Sequence, residues 1–365
     1  MFAKICCIWN NIRVLNIIPY TATEKGLVIT DMGVRFKRLL AEILIISTAL
    51  CVFSSCQNRI YIPTSIEAFL LDTIVKITIY AGGGEEEIEQ CFTLCREYEK
   101  MFSRTLEDSE ISQLNSRARS EVSDETSELI SLGLEYAKLT SGAIDISIEP
   151  VSSLWNFKTS SPLPPDVYEM SEALAHVGWE KVTVNGNTVT FSDDYTRLDL
   201  GAIAKGYIAD RLKDYLVSVG VTSAIINLGG NIQCIGQKNG TENFTVGIQY
   251  PFEDKIIAVA DIADMSMVTS GTYERYFVID DVLYHHILNP ETGLPASSGL
   301  LSVTIFCENS ATADALSTAC FVLGYEAGAE LIDSLDGVHA MFITSDSKVH
   351  LTSGFEDYIN ISVME

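Results

Sequence analysis

Segments with the apolar periodicity of strands and segments with that of helices follow one another along this chain in no fixed order. Apolar alternation over residues 182–191, with Asn185-Gly186 near its centre, predicts a β-hairpin. Between residues 224 and 288, five strand patterns come in succession with no helix pattern between them. Parallel sheets need a long, usually helical, crossover between strands, so this order favours an α+β fold over a doubly wound α/β sheet.

The expected elements fall into two groups. Helices are predicted at 85–101, 109–114, 124–139, 165–176, 204–219, 311–323 and 326–335. Strands are predicted at 73–80, in the 182–191 hairpin, and at 195–200, 224–227, 244–249, 256–262, 276–279, 283–288, 301–306 and 339–344. With hydrophobic residues at 47% of the chain, these elements can bury a large core.

The junction at residues 195–219 combines a strand, a turn and a helix with two charged side chains. Asp199 stands just before the turn at Gly201, and Lys205 lies in the first turn of the helix that follows. The free N–H groups at a helix start attract phosphate, and Lys205 would add a full positive charge there. A plain strand-to-helix turn with Lys205 in solvent is the alternative.

Two further segments carry groups that could take part in chemistry. Asp314 and Thr318 are four residues apart at the start of a predicted helix and so share one face, where they could hold a hard cation such as Mg²⁺. The alternative is a first-turn carboxylate that complements the helix dipole beside a threonine in the core. His285 and His286 end a strand pattern and point to opposite faces, so at most one of them is expected to enter a site as a general base.

The N-terminal region has the pattern of an export signal that begins at Met32. Three basic residues, Arg35, Lys37 and Arg38, precede a stretch over 39–53 that is apolar except for Glu42, and the small-residue site Ser54-Ser55-Cys56 follows. About 15 apolar residues are too few to span a bilayer. We therefore expect an extension outside the natural product at 1–31, a lipoprotein signal peptide at 32–55, lipidation of Cys56, and a tether at 56–65. The alternatives are a genuine extension at 1–31, an uncleaved anchor and an ordinary signal peptide.

Charge and cysteine usage narrow the possible partners. The chain carries a net charge of −25, and its first 55 residues hold six basic and three acidic groups, so the remainder carries −28. Nucleic-acid binding is therefore not expected, and an anionic ligand would need a local positive charge, such as a metal ion or the start of a helix.

The cysteines after the lipid site have no zinc-ligand spacing and are expected to be buried thiols: Cys91, Cys95, Cys234, Cys307 and Cys320.

Five ordered motifs resemble those of the FAD:protein FMN transferase family, known as ApbE. They lie at 109–115, 142–145, 199–210, 285–295 and 309–318, and they include His-Ile-x-x-Pro-x-Thr-Gly and Ala-Asp-Ala-Leu-x-Thr. The similarity runs from about residue 70 to residue 344, so 66–365 is expected to be the catalytic domain. The resemblance implies a two-part α+β architecture with mixed and antiparallel sheets and a cleft for FAD. The chain departs from many members at 71–73, which reads Leu-Asp-Thr where Met-Gly-Thr is common, and at Thr105, where an aromatic is common.

The resemblance also implies the roles of individual residues. Mg²⁺ would be held by the side chains of Asp314 and Thr318 and the carbonyl of Ala202, and His286 would be the catalytic base. FAD would contact Thr105, Ala143, Ile144, Asp145, Asp199, Lys205 and Ile287.

The implied activity is Mg²⁺-dependent transfer of FMN from FAD to a threonine or serine hydroxyl of an exported or membrane redox protein, with release of AMP. Family members are often exported lipoproteins, which fits an outward-facing anchor at Cys56 on the cell membrane. Two alternatives stay open: an Mg²⁺-dependent FAD pyrophosphatase that yields FMN and AMP, and a non-catalytic FAD-binding lipoprotein.

Overall fold

An eight-stranded antiparallel sheet forms the centre of the structure. The computed structural model describes residues 62–157, 159 and 161–364, which group into one compact unit. The predicted extension, signal peptide, lipidated Cys56 and most of the tether lie outside these residues. In the described part of the chain, no helix has the length and apolarity needed to cross a membrane.

The helices and strands alternate irregularly along the chain. The helices are α1 (Glu85–Phe102), α2 (Glu110–Asn115), α3 (Asp124–Leu139), α4 (Glu149–Ser152), α5 (Val167–Leu174), α6 (Ala204–Ser218), α7 (Ser310–Leu323), α8 (Tyr325–Asp333) and α9 (Phe355–Tyr358). The strands are β1 (Thr64–Leu70), β2 (Thr73–Ala81), β3 (Val182–Asn185), β4 (Thr188–Phe191), β5 (Ser223–Leu228), β6 (Asn231–Ile235), β7 (Phe244–Gln249), β8 (Ile256–Ile262), β9 (Ser266–Gly271), β10 (Tyr276–Ile279), β11 (Val282–His285), β12 (Leu300–Cys307), β13 (His339–Thr344), β14 (Val349–Leu351) and β15 (Asn360–Val363).

The central sheet has the strand order β1-β2-β5-β6-β9-β12-β13-β14. Its neighbouring strands are antiparallel throughout. A three-stranded sheet of order β15-β8-β7 and the hairpins β3-β4 and β10-β11 complete the strands of the described residues. The α+β prediction is confirmed, and parallel pairing among these residues is confined to an isolated bridge between Ile148 and Arg197.

The central sheet separates two apolar layers because successive side chains of a strand point to opposite faces. On one face, Ile77 of β2 and Ile226 of β5 pack with α1, α6 and α7. On the other, Phe306 of β12 packs with the three-stranded sheet and with Phe355 of α9. This arrangement places α6 and α7 side by side on the helical face.

The sequence prediction fails at residues 195–200, which do not form a strand. Leu198 and Leu200 are buried as the pattern indicated, but the backbone finds its partners outside any ladder. The Asn115 side chain bonds both the N–H and the carbonyl of Leu198, at 2.7 and 2.8 Å, and the Asp199 N–H donates to the Ile146 carbonyl. The buried amide side chain of Asn115 therefore satisfies the backbone hydrogen-bonding groups of Leu198 that a neighbouring strand would otherwise pair.

Strands β6 and β9, in the middle of the sheet, had no predicted counterpart. Gln233 of β6 and Ser266 of β9 are fully buried. Because polar residues occupy these buried positions, the two segments lack the alternation of apolar and polar residues that predicts a strand. The fold also begins earlier than predicted, because β1 starts at Thr64, inside the expected tether. The expectation for the five cysteines is confirmed, since all of them are free and buried.

Candidate active site

The candidate site forms where the start of α6 meets the start of α7. Gly206, in the first turn of α6, approaches α7 so closely that a Cβ added there would lie 2.3 Å from the Ser310 carbonyl oxygen. The Gly206 N–H donates to Asp314 Oδ2 at 2.8 Å. This N–H is among the first-turn donors that have no partner within their own helix, so a carboxylate from α7 satisfies the start of α6.

Asp314 lies in a setting that disfavours its charge. Burial raises the pKa of its carboxyl to about 6, although the Lys205 charge and the Gly206 N–H oppose that shift. The charges of Glu274 and Asp210 raise the Asp314 pKa further. Ionised Asp314 therefore raises the free energy of the folded protein, and a bound cation would lower it again.

Thr318 lies one turn beyond Asp314 on the same face of α7, as the spacing predicted. Its hydroxyl is 3.2 Å from Ser270 Oγ of β9, which also lies 2.8 Å from Ser317 Oγ. Ala202 belongs to the turn that leads into α6, one helical turn before Gly206. Two of the three predicted metal ligands therefore lie on one face of α7 and the third lies in the turn before α6, and all of them offer oxygen atoms.

The two consecutive histidines have separate environments. His285, the last residue of β11, is buried, and its Nε2 lies 3.1 Å from the Ala296 carbonyl oxygen, which fixes it as a core residue. The next residue, His286, lies just beyond β11, and its backbone N–H donates to the Arg275 carbonyl at 3.1 Å. Its buried Nδ1 has no hydrogen-bond partner among the described residues.

The pKa of His286 falls to about 3 because the ring is desolvated and because the charges of Arg275 and Lys205 disfavour a second proton. Lys205 therefore acts electrostatically on both Asp314 and His286. At neutral pH the imidazole is uncharged and keeps a lone pair, which is the form that a general base needs.

The segment after His286 is a tight loop held from three sides. The Ile287 carbonyl accepts a hydrogen bond from Ala296 N–H at 2.9 Å, and the Ile287 side chain is buried. Gly293 has a φ of +70°, and an added Cβ would lie 2.3 Å from Met170 Sδ. The Gly293 carbonyl accepts a 2.8 Å hydrogen bond from Trp155 Nε1. These contacts make the loop a rigid support for His286.

Asp199 is the centre of a small ionic network. Its Oδ2 accepts from Ser152 Oγ at 2.7 Å and lies 3.0 Å from Arg104 Nε, and its Oδ1 accepts from Gly201 N–H. Arg104 also reaches Glu149, with 3.8 Å between Nη1 and Oε1. Sequence reasoning missed Arg104, Ser152 and Glu149, since a lone arginine between two helix patterns carries no signal of its own.

The predicted FAD contacts at 143–145 follow the end of α3. Gly142, at a φ of +85°, ends that helix by donating its N–H to the Ala137 carbonyl. Ala143 and Ile144 are buried in the core, and the Asp145 carboxylate accepts hydrogen bonds from Ser147 and from Trp179 N–H. Burial raises the Asp145 pKa. The buried Asp145 carboxylate thus links the loop after α3 to the backbone at Trp179.

Two observations link predicted residues around the α6 start. The hydrogen bond from Asp199 N–H to the Ile146 carbonyl ties the segment after residues 143–145 to the turn before α6, and the charge of Lys205 acts on both Asp314 and His286. Thr105 is exposed and adjoins Arg104, which contacts Asp199. No group of three or more His, Cys, Asp or Glu side chains that could hold a metal occurs in residues 62–157, 159 and 161–364.

Comparison with known families and structures identifies the class of protein. The model of the ApbE family matches residues 71–342. The chain belongs to the ApbE family.

Its similarity to individual proteins extends over most of its length. A protein of Treponema pallidum named FAD:protein FMN transferase is 34% identical over 337 residues, covering 86% of this chain and 93% of its own. A protein of Klebsiella pneumoniae with the same name is 33% identical and covers 81% of this chain and 93% of its own.

Solved structures agree with these relatives. The ApbE protein of Thermotoga maritima superposes with a TM-score of 0.76 at 32% identity, covering 81% of this chain and 99% of its own. The flavin transferase ApbE of Vibrio cholerae superposes with a TM-score of 0.72 at 25% identity, covering 81% of this chain and all of its own. The predicted family and the fold class are confirmed.

Proposed function

We propose that this enzyme transfers FMN from FAD to a threonine or serine hydroxyl of a target protein and releases AMP. As a member of its family the chain is a flavin transferase, and several relatives carry the name FAD:protein FMN transferase. The observation that supports the proposal is the hydrogen bond from Gly206 N–H to Asp314 at the start of α6, where the charge of Lys205 acts on both Asp314 and His286. In phosphoryl transfer, a positive charge can neutralise the phosphate, a carboxylate can hold a cation, and a neutral imidazole can take the proton of the attacking hydroxyl.

The residues present fit Mg²⁺. Asp314, Thr318 and the Ala202 carbonyl provide only hard oxygen donors, which Mg²⁺ prefers. Burial raises the pKa of Asp314 although Lys205 lowers it, so the charged form of this carboxylate is disfavoured in the absence of a cation. A bound Mg²⁺ would supply that charge and neutralise the pyrophosphate of FAD, which a chain with a net charge of −25 otherwise repels.

The protein groups would then act in sequence on the reacting atoms. The start of α6 and Lys205 would hold the pyrophosphate, and the loop after His286 would keep the imidazole fixed beside it. His286 would take the proton of the acceptor hydroxyl as its oxygen bonds to the FMN phosphorus. The bond from that phosphorus to the bridging oxygen breaks, and AMP leaves with this oxygen.

The decisive experiment separates transfer from hydrolysis and from simple binding. The protein, FAD, Mg²⁺ and a candidate acceptor domain bearing a threonine are incubated, and flavin fluorescence is read on the denatured acceptor band while AMP and FMN are quantified. We expect a fluorescent acceptor and an equal amount of AMP. Free FMN with an unlabelled acceptor would indicate a pyrophosphatase, and bound FAD without AMP would indicate a carrier. His286→Gln should lower transfer at least about 100-fold.

We also propose that the protein is exported and anchored on the outer side of the cell membrane by a lipid on Cys56. The motif at 54–56 after the apolar stretch supports this, and the acceptor would then be an exported or membrane redox protein. Cys56→Ser should move the protein from the membrane to the soluble extracytoplasmic fraction. Retention of that variant in membranes would contradict the lipid anchor.

A further inference from the structure

Arg275 lies directly across the β10-β11 hairpin from His286. In this hairpin Tyr276 pairs with His285, so Arg275 and His286 are the next opposing residues. The His286 N–H donates to the Arg275 carbonyl at 3.1 Å. Side chains of directly opposing residues lie on the same face, and the Arg275 charge accordingly lowers the pKa of His286.

The guanidinium of Arg275 reaches away from the hairpin to the turn between β1 and β2. Its Nη2 lies 3.4 Å from Asp72 Oδ2. Asp72 has a φ of +60°, a left-handed conformation that is unusual for residues other than glycine, asparagine and aspartate. The turn therefore places a carboxylate against the guanidinium of the residue that pairs with His286.

Neighbouring contacts fix the position of this pair. Thr73, beside Asp72, packs so tightly on Gly229 that an added Cβ there would lie 2.1 Å from Thr73 Oγ1. Glu274, beside Arg275, has its Oε1 3.6 Å from the position of a Cβ on Gly230. The 229–230 turn thus supports both partners, while the Asp72 and Arg275 side chains stay about half exposed, at 47% and 46%.

An ion pair this exposed is weak, on the order of 0.2–1 kcal/mol, and a stronger anion can replace it. Arginine binds phosphate with paired, charge-assisted hydrogen bonds. We propose that Arg275 is a phosphate-binding residue for FAD, and that Asp72 occupies its guanidinium until the pyrophosphate takes the place of the carboxylate. This inference rests on the proposed function, since it concerns the same substrate.

The test measures binding of FAD and of riboflavin, which lacks phosphate, by fluorescence quenching in the presence of Mg²⁺. Arg275→Ala should weaken FAD binding about 10- to 100-fold and leave riboflavin binding unchanged, and Arg275→Lys should restore part of the loss. Asp72→Asn should tighten FAD binding about two- to five-fold, because it removes a competing anion. In the double variant the Asp72 substitution should have no effect.

Asp214→Asn is the matched control. Asp214 pairs with Arg211 at 3.3 Å on α6, so the substitution removes the same charge from a comparable surface pair outside the proposed site. It should leave FAD affinity unchanged. If Asp72→Asn and Arg275→Ala weaken FAD binding alike, or if riboflavin binding falls with FAD binding, the pair is structural and the inference is overturned. Failure of the unmodified protein to bind or use FAD would instead refute the proposed function.

Discussion

Replacing Asp314 with asparagine should stabilise the metal-free protein, although the side chain is buried and hydrogen-bonded. The carboxyl pKa is raised from 3.8 to about 6, which corresponds to about 3 kcal/mol of destabilisation when the group is ionised. Because the pKa of Asp314 is higher in the folded than in the unfolded state, protonated Asp314 carries no such penalty, and the folded protein is most stable in this respect below pH 3.8. That stability is lost as the pH rises through about 6 and the buried carboxyl ionises. Asparagine keeps an oxygen for the Gly206 N–H without carrying the charge.

The assay is thermal unfolding in EDTA between pH 4 and pH 8. At pH 7.5 we expect Asp314→Asn to raise Tm by roughly 5 °C, whereas the two proteins should be nearly equal at pH 4. Adding Mg²⁺ should stabilise the unmodified protein and leave the variant unchanged, since the variant lacks the anionic ligand. A lower Tm for the variant in EDTA at pH 7.5, with the same pH slope as the unmodified protein, would refute the reasoning.

Two further predictions concern His286 and Gly206. Because the pKa of His286 is lowered to about 3, protonation of His286 should give kcat/KM no acid limb near the usual histidine value of about 6.5. The profile is measured at saturating Mg²⁺, which suppresses the limb expected from Asp314 at about 6, and a remaining limb that His286→Gln removes would contradict this. Gly206→Ala should cost at least about 1–3 kcal/mol of stability, because its Cβ would lie 2.3 Å from the Ser310 carbonyl oxygen. Denaturant unfolding checks this, with Gly84→Ala as control, since a Cβ there has nothing within 4 Å. Equal midpoints for the two alanine variants would contradict the close approach of α6 and α7.

The sequence predicted the amphipathic elements well, because burial on one face imposes a period that can be read directly. The 124–139 helix and the 244–249 and 256–262 strands have the predicted limits. The turn of the 182–191 hairpin shifted by one residue: Asn185 pairs with Thr188, so Gly186 and Asn187 form the turn. Strands β6 and β9 were missed because their buried positions are partly polar.

Within the site, the sequence could supply residue types but not their partners. Asp314 and Thr318 share a face of α7 because of helical spacing alone, and strand geometry predicts that the side chains of His285 and His286 point in opposite directions. The contacts of Asp199 with Arg104 and of Arg275 with Asp72 join residues far apart in the chain. No local pattern records such pairs, since only the tertiary fold brings them together.

The hydrogen bond between Gly206 and Asp314 joins residues 108 positions apart and draws together the proposed metal ligands. A nascent or unfolded chain must therefore complete α7, and then close this long loop, before Ala202 can face Asp314 and Thr318. A chain threaded unfolded through a translocation channel would arrive without metal or flavin. It would have to acquire both from the compartment in which it folds.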